Sequence, residues 1–110
     1  MDADRLLENV LNGIAEPTMV IDSAGRISHI NQNACERFET TEPDAMGSSP
    51  SAVHGGSEMA ARVLDTGEAI TERTETVVVD GTERTISRTV TPFQDSSGEI
   101  IGAMETAKDI

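Results

Sequence analysis

The sequence predicts an α+β fold, an antiparallel sheet with helices packed on one face, and three observations predict it. Asp80-Gly81 separates two β-branched segments, a strong hairpin signal, and a Gly-containing turn at residues 23–26 separates two shorter ones. Apolar residues at helical spacing mark one stretch before the first strand and two between the second and third. The element order is therefore ββααβββ behind a leading helix. No internal repeat, low-complexity tract or linker interrupts the 110 residues, which read as one domain, an N-terminal helix over 1–14 and a core over 17–110.

Each element has a local reason. Leu6, Leu7, Val10, Leu11 and Ile14 fall on one stripe of a helix over 4–13, stopped by Gly13 and Pro17. Residues 17–22 and 27–30 are β-branched runs around the 23–26 turn. Asn31 is a good N-cap for a helix from Gln32 to about Glu39, with Ala34 and Phe38 four apart on its inner side. Residues 40–56, rich in Ser, Pro, Gly and acids, form a long loop with one or two helical turns at 43–46. A further helix runs from 57 or 58 to Asp65, turns Met59, Ala60, Val63 and Leu64 inward, and closes at Gly67. Strands follow at 69–79, 83–93 and 99–107, with turns at 80–81 and 95–98.

That agreement between levels argues for a folded chain, which the composition alone leaves open. Twenty acids oppose eight bases for a net charge of −12, and Leu, Ile, Val and Phe total only 23. The charge repels phosphate backbones and anionic membranes, and without Trp or Tyr there is little to stack on bases, so nucleic-acid binding is excluded. No apolar run reaches bilayer length, and residues 1–15 lack a signal-peptide pattern. A cytoplasmic domain without direct membrane contact is expected, in a parent protein that is itself free to be membrane-bound. Cys35 is alone and forms no intramolecular disulfide, in keeping with a reducing cytosol. The acid excess, seven Arg against one Lys, and twelve Thr resemble proteins of salt-loving microbes. Molar salt shortens the screening length to about 3 Å, so crowded carboxylates no longer oppose folding.

The segments Leu7-Glu-Asn-Val-Leu-Asn-Gly-Ile14, Glu16-Pro-Thr-Met-Val-Ile-Asp-Ser-Ala-Gly-Arg-Ile27, and Ile30-Asn-Gln-Asn-Ala34 with Phe38 resemble the first half of a PAS sensory domain. Val90-Thr-Pro92, Asp95-Ser-Ser-Gly-Glu-Ile-Ile-Gly102 and the closing Lys108-Asp-Ile110 resemble its second half, so the likeness spans residues 5–110. It implies a five-stranded sheet in spatial order 2-1-5-4-3 with a small cavity beneath the helices. It also implies an input module feeding an output domain of the same chain, as in a sensor histidine kinase or a methyl-accepting transducer. With the composition, it points to a haloarchaeal signal transducer.

Strand alternation, read with the family's parity, marks the cavity wall. Met19 and Ile21 share a face, as do Ile27 and His29, then Ile86, Arg88 and Val90, and in the last strand Ile100, Gly102 and Met104. Phe38, Met46, Met59 and Val63 close the space from the helical side. His29 either hydrogen-bonds a ligand or is a buried or edge residue bonded to backbone. An inward Arg88 requires a carboxylate partner or an anionic ligand, unless a bulge turns it outward. Val77, Val78 and Val79 are apolar on both strand faces. Leu6, Leu7, Val10 and Leu11 are expected to cover the outer face that includes Val77 and Val79, in the same chain or across a homodimer.

Chemistry-bearing motifs are absent. There is no nucleophile elbow and no phosphate-binding Gly loop, and His29, Cys35 and His54 lack metal-ligand spacing. The flavin-adduct motif of light-sensing relatives is missing, and His54 precedes the helix that carries the haem ligand in haem-binding ones. No enzyme, no metal and no covalent cofactor is expected. The reading is a sensor that binds a small, mostly apolar or aromatic molecule non-covalently. A ligand-free dimerisation or relay module is the alternative, and a haem or flavin redox sensor a distant one.

Overall fold

A computed structural model of the chain describes residues 3–53, 58–79 and 81–109. In chain order the elements are α1 (Ala3–Asn12), β1 (Thr18–Asp22), β2 (Ile27–Ile30), α2 (Gln32–Arg37), α3 (Glu42–Ala45), α4 (Met59–Thr66), β3 (Ile70–Val79), β4 (Thr82–Gln94) and β5 (Ile100–Asp109). One 3₁₀ turn at Pro50–Ala52 sits in the central loop. The sheet is antiparallel in the order β2-β1-β5-β4-β3, the arrangement that the resemblance implied.

Local chemistry sets the turns. Asp22 and Asp95 each open an Asp-Ser-x-Gly turn and accept two or more backbone N–H groups at Oδ1, from Ala24 and Arg26 and from Ser97 and Glu99. Gly25 and Gly98 take the positive φ these turns need. Pro92 is tolerated in β4 because β3 begins at Ile70 opposite Val90, leaving β4 an edge strand beyond that point. The other edge, at β2, is partly covered: Ile27 donates to the Ser48 carbonyl and accepts from Gly47 in the loop after α3.

Two bulges decide which side chains face inward. In β1–β2 the register passes from Val20 opposite His29 to Ile21 opposite Ile27, so Ser28 is the extra residue. In β3–β4 it passes from Ile70 opposite Val90 to Arg73 opposite Arg88. There Glu72 adopts φ 48°, and its N–H donates to Thr89 Oγ1 at 3.0 Å. The inner face carries Met19, Ile21, Ile27, Ile30, Ile86, Val90, Ala103 and Ala107, joined from the helices by Ala34, Phe38, Ala45, Ala60 and Val63 in one buried cluster. α4 packs over β4 and β5, α2 over β1 and α3 against β2.

Asn31 knits the N-terminal half together. Its Oδ1 accepts from Ala34 N, capping α2, and from Thr18 N at the start of β1. Its Nδ2 donates to the carbonyls of Leu11, Ile14 and Glu16. α1 is thereby tied to the core by its C-terminal end, with Leu11 buried, while Leu6 and Val10 stay 50% and 54% exposed. The expectation that all four α1 residues lie against the outer face is therefore corrected within this chain: only Leu11 is buried, and Leu7 is half-buried. The side chains of Val77 and Val79 lie outside the described residues, and Val78 between them is exposed.

Candidate functional site

The inner face holds one polar group in an apolar setting. Arg88 on β4 is 0% exposed, and its Nη1 donates to Glu105 Oε2 at 2.7 Å from the neighbouring strand β5. Its Nε is held by Glu75 Oε1 from β3 on the other side. The guanidinium carbon lies 5.6 Å from the Phe38 ring centroid, within range of a cation–π contact. The carboxylate partner that an inward Arg88 requires is thus supplied twice, once from each flanking strand.

Its partners differ. Glu75 is 31% exposed, whereas the Glu105 side chain is fully buried. Burial pushes the Glu105 carboxyl above its usual value, against the pull of Arg88. Glu105 Oε1 has no hydrogen-bond partner among the described residues. Next to the cluster, Glu75 forms part of the wall of a cleft of about 250 Å³ that Glu58, Met59, Arg62 and Arg73 complete. The β3 bulge makes this arrangement possible. With plain alternation Ile70 and Glu75 would lie on opposite faces; the extra residue puts both on the inner one.

Of the residues read from the sequence as cavity wall, Met19, Ile21, Ile27, Phe38, Val63, Ile86, Arg88 and Val90 converge in the interior, and Met59 packs half-buried against them. Four, His29, Met46, Gly102 and Met104, do not join them. His29 stands opposite Val20 on the outer side, because the β1–β2 bulge gives the inner position to Ile30. It lies in a separate groove of about 280 Å³ between α1, β2 and α3, with Met46, which is exposed. There its Nδ1 meets the Ser28 hydroxyl at 3.0 Å. Met104 stands opposite Val20 and Thr91 on the outer face, and Gly102 shares that side, opposite Phe93. The inner face of β5 is Ala103, Glu105 and Ala107, the opposite parity to that expected. Two small alanines flanking a Glu were the available signal, outweighed by the larger Ile100 and Met104.

Cys35 is half-buried on α2, and burial, with Glu42 and Glu36 nearby, raises its thiol pKa. The thiolate needed for adduct chemistry is thereby disfavoured. His54 lies outside the described residues. Among the described residues no group of three or more His, Cys, Asp or Glu side chains is placed to hold a metal ion, and no helix is long and apolar enough to cross a membrane.

The sequence matches the PAS fold over residues 11–110. No curated protein sequence matches it. Several solved structures share the architecture. The PAS domain of Bordetella pertussis BvgS is 23% identical with a TM-score of 0.77, covering 99% of this chain and 86% of that one. The PAS domain of nitrogen regulation protein NR(II) from Vibrio parahaemolyticus is 23% identical with a TM-score of 0.71, covering 96% and 98%. A VqmA–ligand–DNA complex from Vibrio cholera is 17% identical with a TM-score of 0.74, covering 99% of this chain and 51% of that one. Light-oxygen-voltage domains are also similar in fold. With a family match over nearly the whole length and the same strand order, this chain belongs to the PAS fold family.

Proposed function

We propose that this chain is the sensory input domain of a signalling protein. It holds a small, mostly apolar or aromatic molecule non-covalently between the inner sheet face and α4, and passes the change to an output domain without catalysis. The observation that carries this reading is the Glu75–Arg88–Glu105 cluster: an ionic group buried in an apolar interior, with one carboxylate oxygen left open. Burying charge costs several kcal/mol per ion in real proteins, so a cluster with an open acceptor is a poor choice for stability alone. The cluster joins the three strands β3, β4 and β5, and β5 runs to the C-terminal end, where Asp109 pairs with Ile86. A ligand that shifts its packing biases that end of the sheet.

A ligand-free relay is the second reading, favoured by how completely Met19, Ile21, Phe38, Ile86 and Val90 bury one another. For either reading a homodimer is proposed through the exposed Leu6 and Val10 of α1. The net charge of −12 supports a domain that leaves nucleic acid alone, and the VqmA chain in complex with DNA is about twice as long as the part matched here. A cytoplasmic domain of a salt-adapted, haloarchaeal transducer fits the same charge. Native mass spectrometry of protein purified from its own host tests these readings together. An intact mass exceeding the denatured mass by a small organic molecule is expected, on a dimer. Equal masses favour the relay, and visible absorbance from bound haem or flavin sinks both.

A further inference from the structure

We propose that Glu105 is the recognition point of the interior site, and that it takes a neutral ligand donating an N–H or O–H hydrogen bond, such as an amide or hydroxyl on an apolar body, in place of an anion. This rests on the ligand-binding reading above. Arg88 is the cation that would ordinarily attract a carboxylate ligand, yet its Nε and Nη1 already hold Glu75 and Glu105. Within the cluster one cation already faces two carboxylates, so a third anion would have no unengaged charge partner there, and Arg62 and Arg73 stand on the wall of the cleft outside it. The unmet demand lies at Glu105 Oε1, a buried acceptor without a donor among the described residues. Its inner-face neighbours along β5, Ala103 and Ala107, are small, Met19 and Val90 stand opposite it on β1 and β4, and α4, which packs over this strand, buries Ala60 and Val63. The cleft walled by Met59, Arg73 and Glu75 reaches the cluster from the solvent side.

Three probes of one size separate the possibilities: benzamide, which donates; methyl benzoate, which only accepts; and benzoate, an anion. Binding is followed by shifts of the Val63, Ile86 and Val90 methyl resonances across a pH series, and the three probes are compared at its alkaline end, where Glu105 is most ionised. Benzamide is expected to bind about tenfold more tightly than methyl benzoate, and benzoate more weakly still. In Glu105→Gln, Arg88 keeps the amide oxygen and the NH₂ group takes the place of Oε1, so the preference for benzamide should be lost, because both probes carry a carbonyl that accepts from that NH₂ group. Should that variant not fold, the unsubstituted protein serves alone: its affinity for benzamide should fall as pH drops and Glu105 takes up its proton, while that for methyl benzoate does not. Equal binding of benzamide and methyl benzoate with interior methyl shifts would overturn the donor assignment and leave the ligand-binding reading intact. If none of the three moves those methyls at millimolar concentration, both are overturned.

Discussion

Arg88 and Asn31 are buried polar residues that each tie several elements together, and each makes a prediction. Replacing Arg88 by Leu strands a buried carboxylate, Glu105, and a partly exposed one, Glu75. The first loss dominates, because only Glu75 can turn to water. Arg88→Leu is expected to cost about 3 kcal/mol or more in urea unfolding, Glu75→Gln under about 1 kcal/mol. Adding Glu105→Leu to Arg88→Leu should restore at least about 1 kcal/mol, since the pair acts as a unit; a strictly additive double variant would contradict the coupling. The Glu105 carboxyl holds its proton to higher pH when folded than when unfolded. Its contribution to stability is therefore full below the ordinary value of 4.5 and declines as pH rises through the folded value. Glu105→Gln should remove that decline, read as the difference between two stability–pH curves. At Asn31 the informative change is to Asp. It keeps the acceptor that caps α2 but sets a carboxylate against the carbonyls of Leu11, Ile14 and Glu16. A loss of about 2 kcal/mol is expected, with faster amide exchange in α1 than in β5. A near-neutral Asp variant would mean that capping is all Asn31 does.

Among the elements, β3 and β5 carry the backbone features on which the site depends. Glu72 occupies the left-handed region to form the bulge that sends Glu75 inward. A non-Gly residue there costs about 1 kcal/mol, so Glu72→Gly should raise the unfolding midpoint without moving the Arg88 cluster. Gly102 on β5 is the opposite case. A Cβ there would meet the Ile21 carbonyl oxygen at 2.5 Å, a backbone atom fixed by the β1–β5 ladder. Gly102→Ala is expected to destabilise by about 1–3 kcal/mol in thermal melts, and an unchanged melting temperature would show that the two strands separate freely. α1 is the least supported element. Ten residues of helix are marginal in water, and among the described residues the hydrogen bonds that tie it to the core lie at its C-terminal end. Leu6→Lys with Val10→Lys should leave monomer stability nearly unchanged while abolishing the proposed dimer in sedimentation.

At the scale of the molecule, the acids whose side chains are described are exposed except Asp22, Glu75 and Glu105. A net charge of −12 spread over that surface is self-repelling when salt is dilute. The melting temperature should drop as salt falls from molar to millimolar, and a flat response would argue against salt adaptation.

The strands, helices, turns and class of fold were legible in the chain because their causes are local. Asp-Ser-x-Gly turns, the Asn31 cap, the Asp80-Gly81 signal and the apolar stripes act within a few residues, and strand order followed from a family resemblance carried by the same motifs. The polar centre was half legible. Arg88 was visible as a charge among apolar neighbours, but its partners Glu75 and Glu105 sit on two other strands, and which acids reach it depends on registers. Strand parity is lost wherever one extra residue enters a ladder. Bulges at Ser28 and next to Glu72 moved His29 out and Glu75 in, and the pairing of β5 turned Met104 out and Glu105 in. Pattern along one strand sets its period; only pairing between strands sets the phase, and the phase decided which charged groups are buried together.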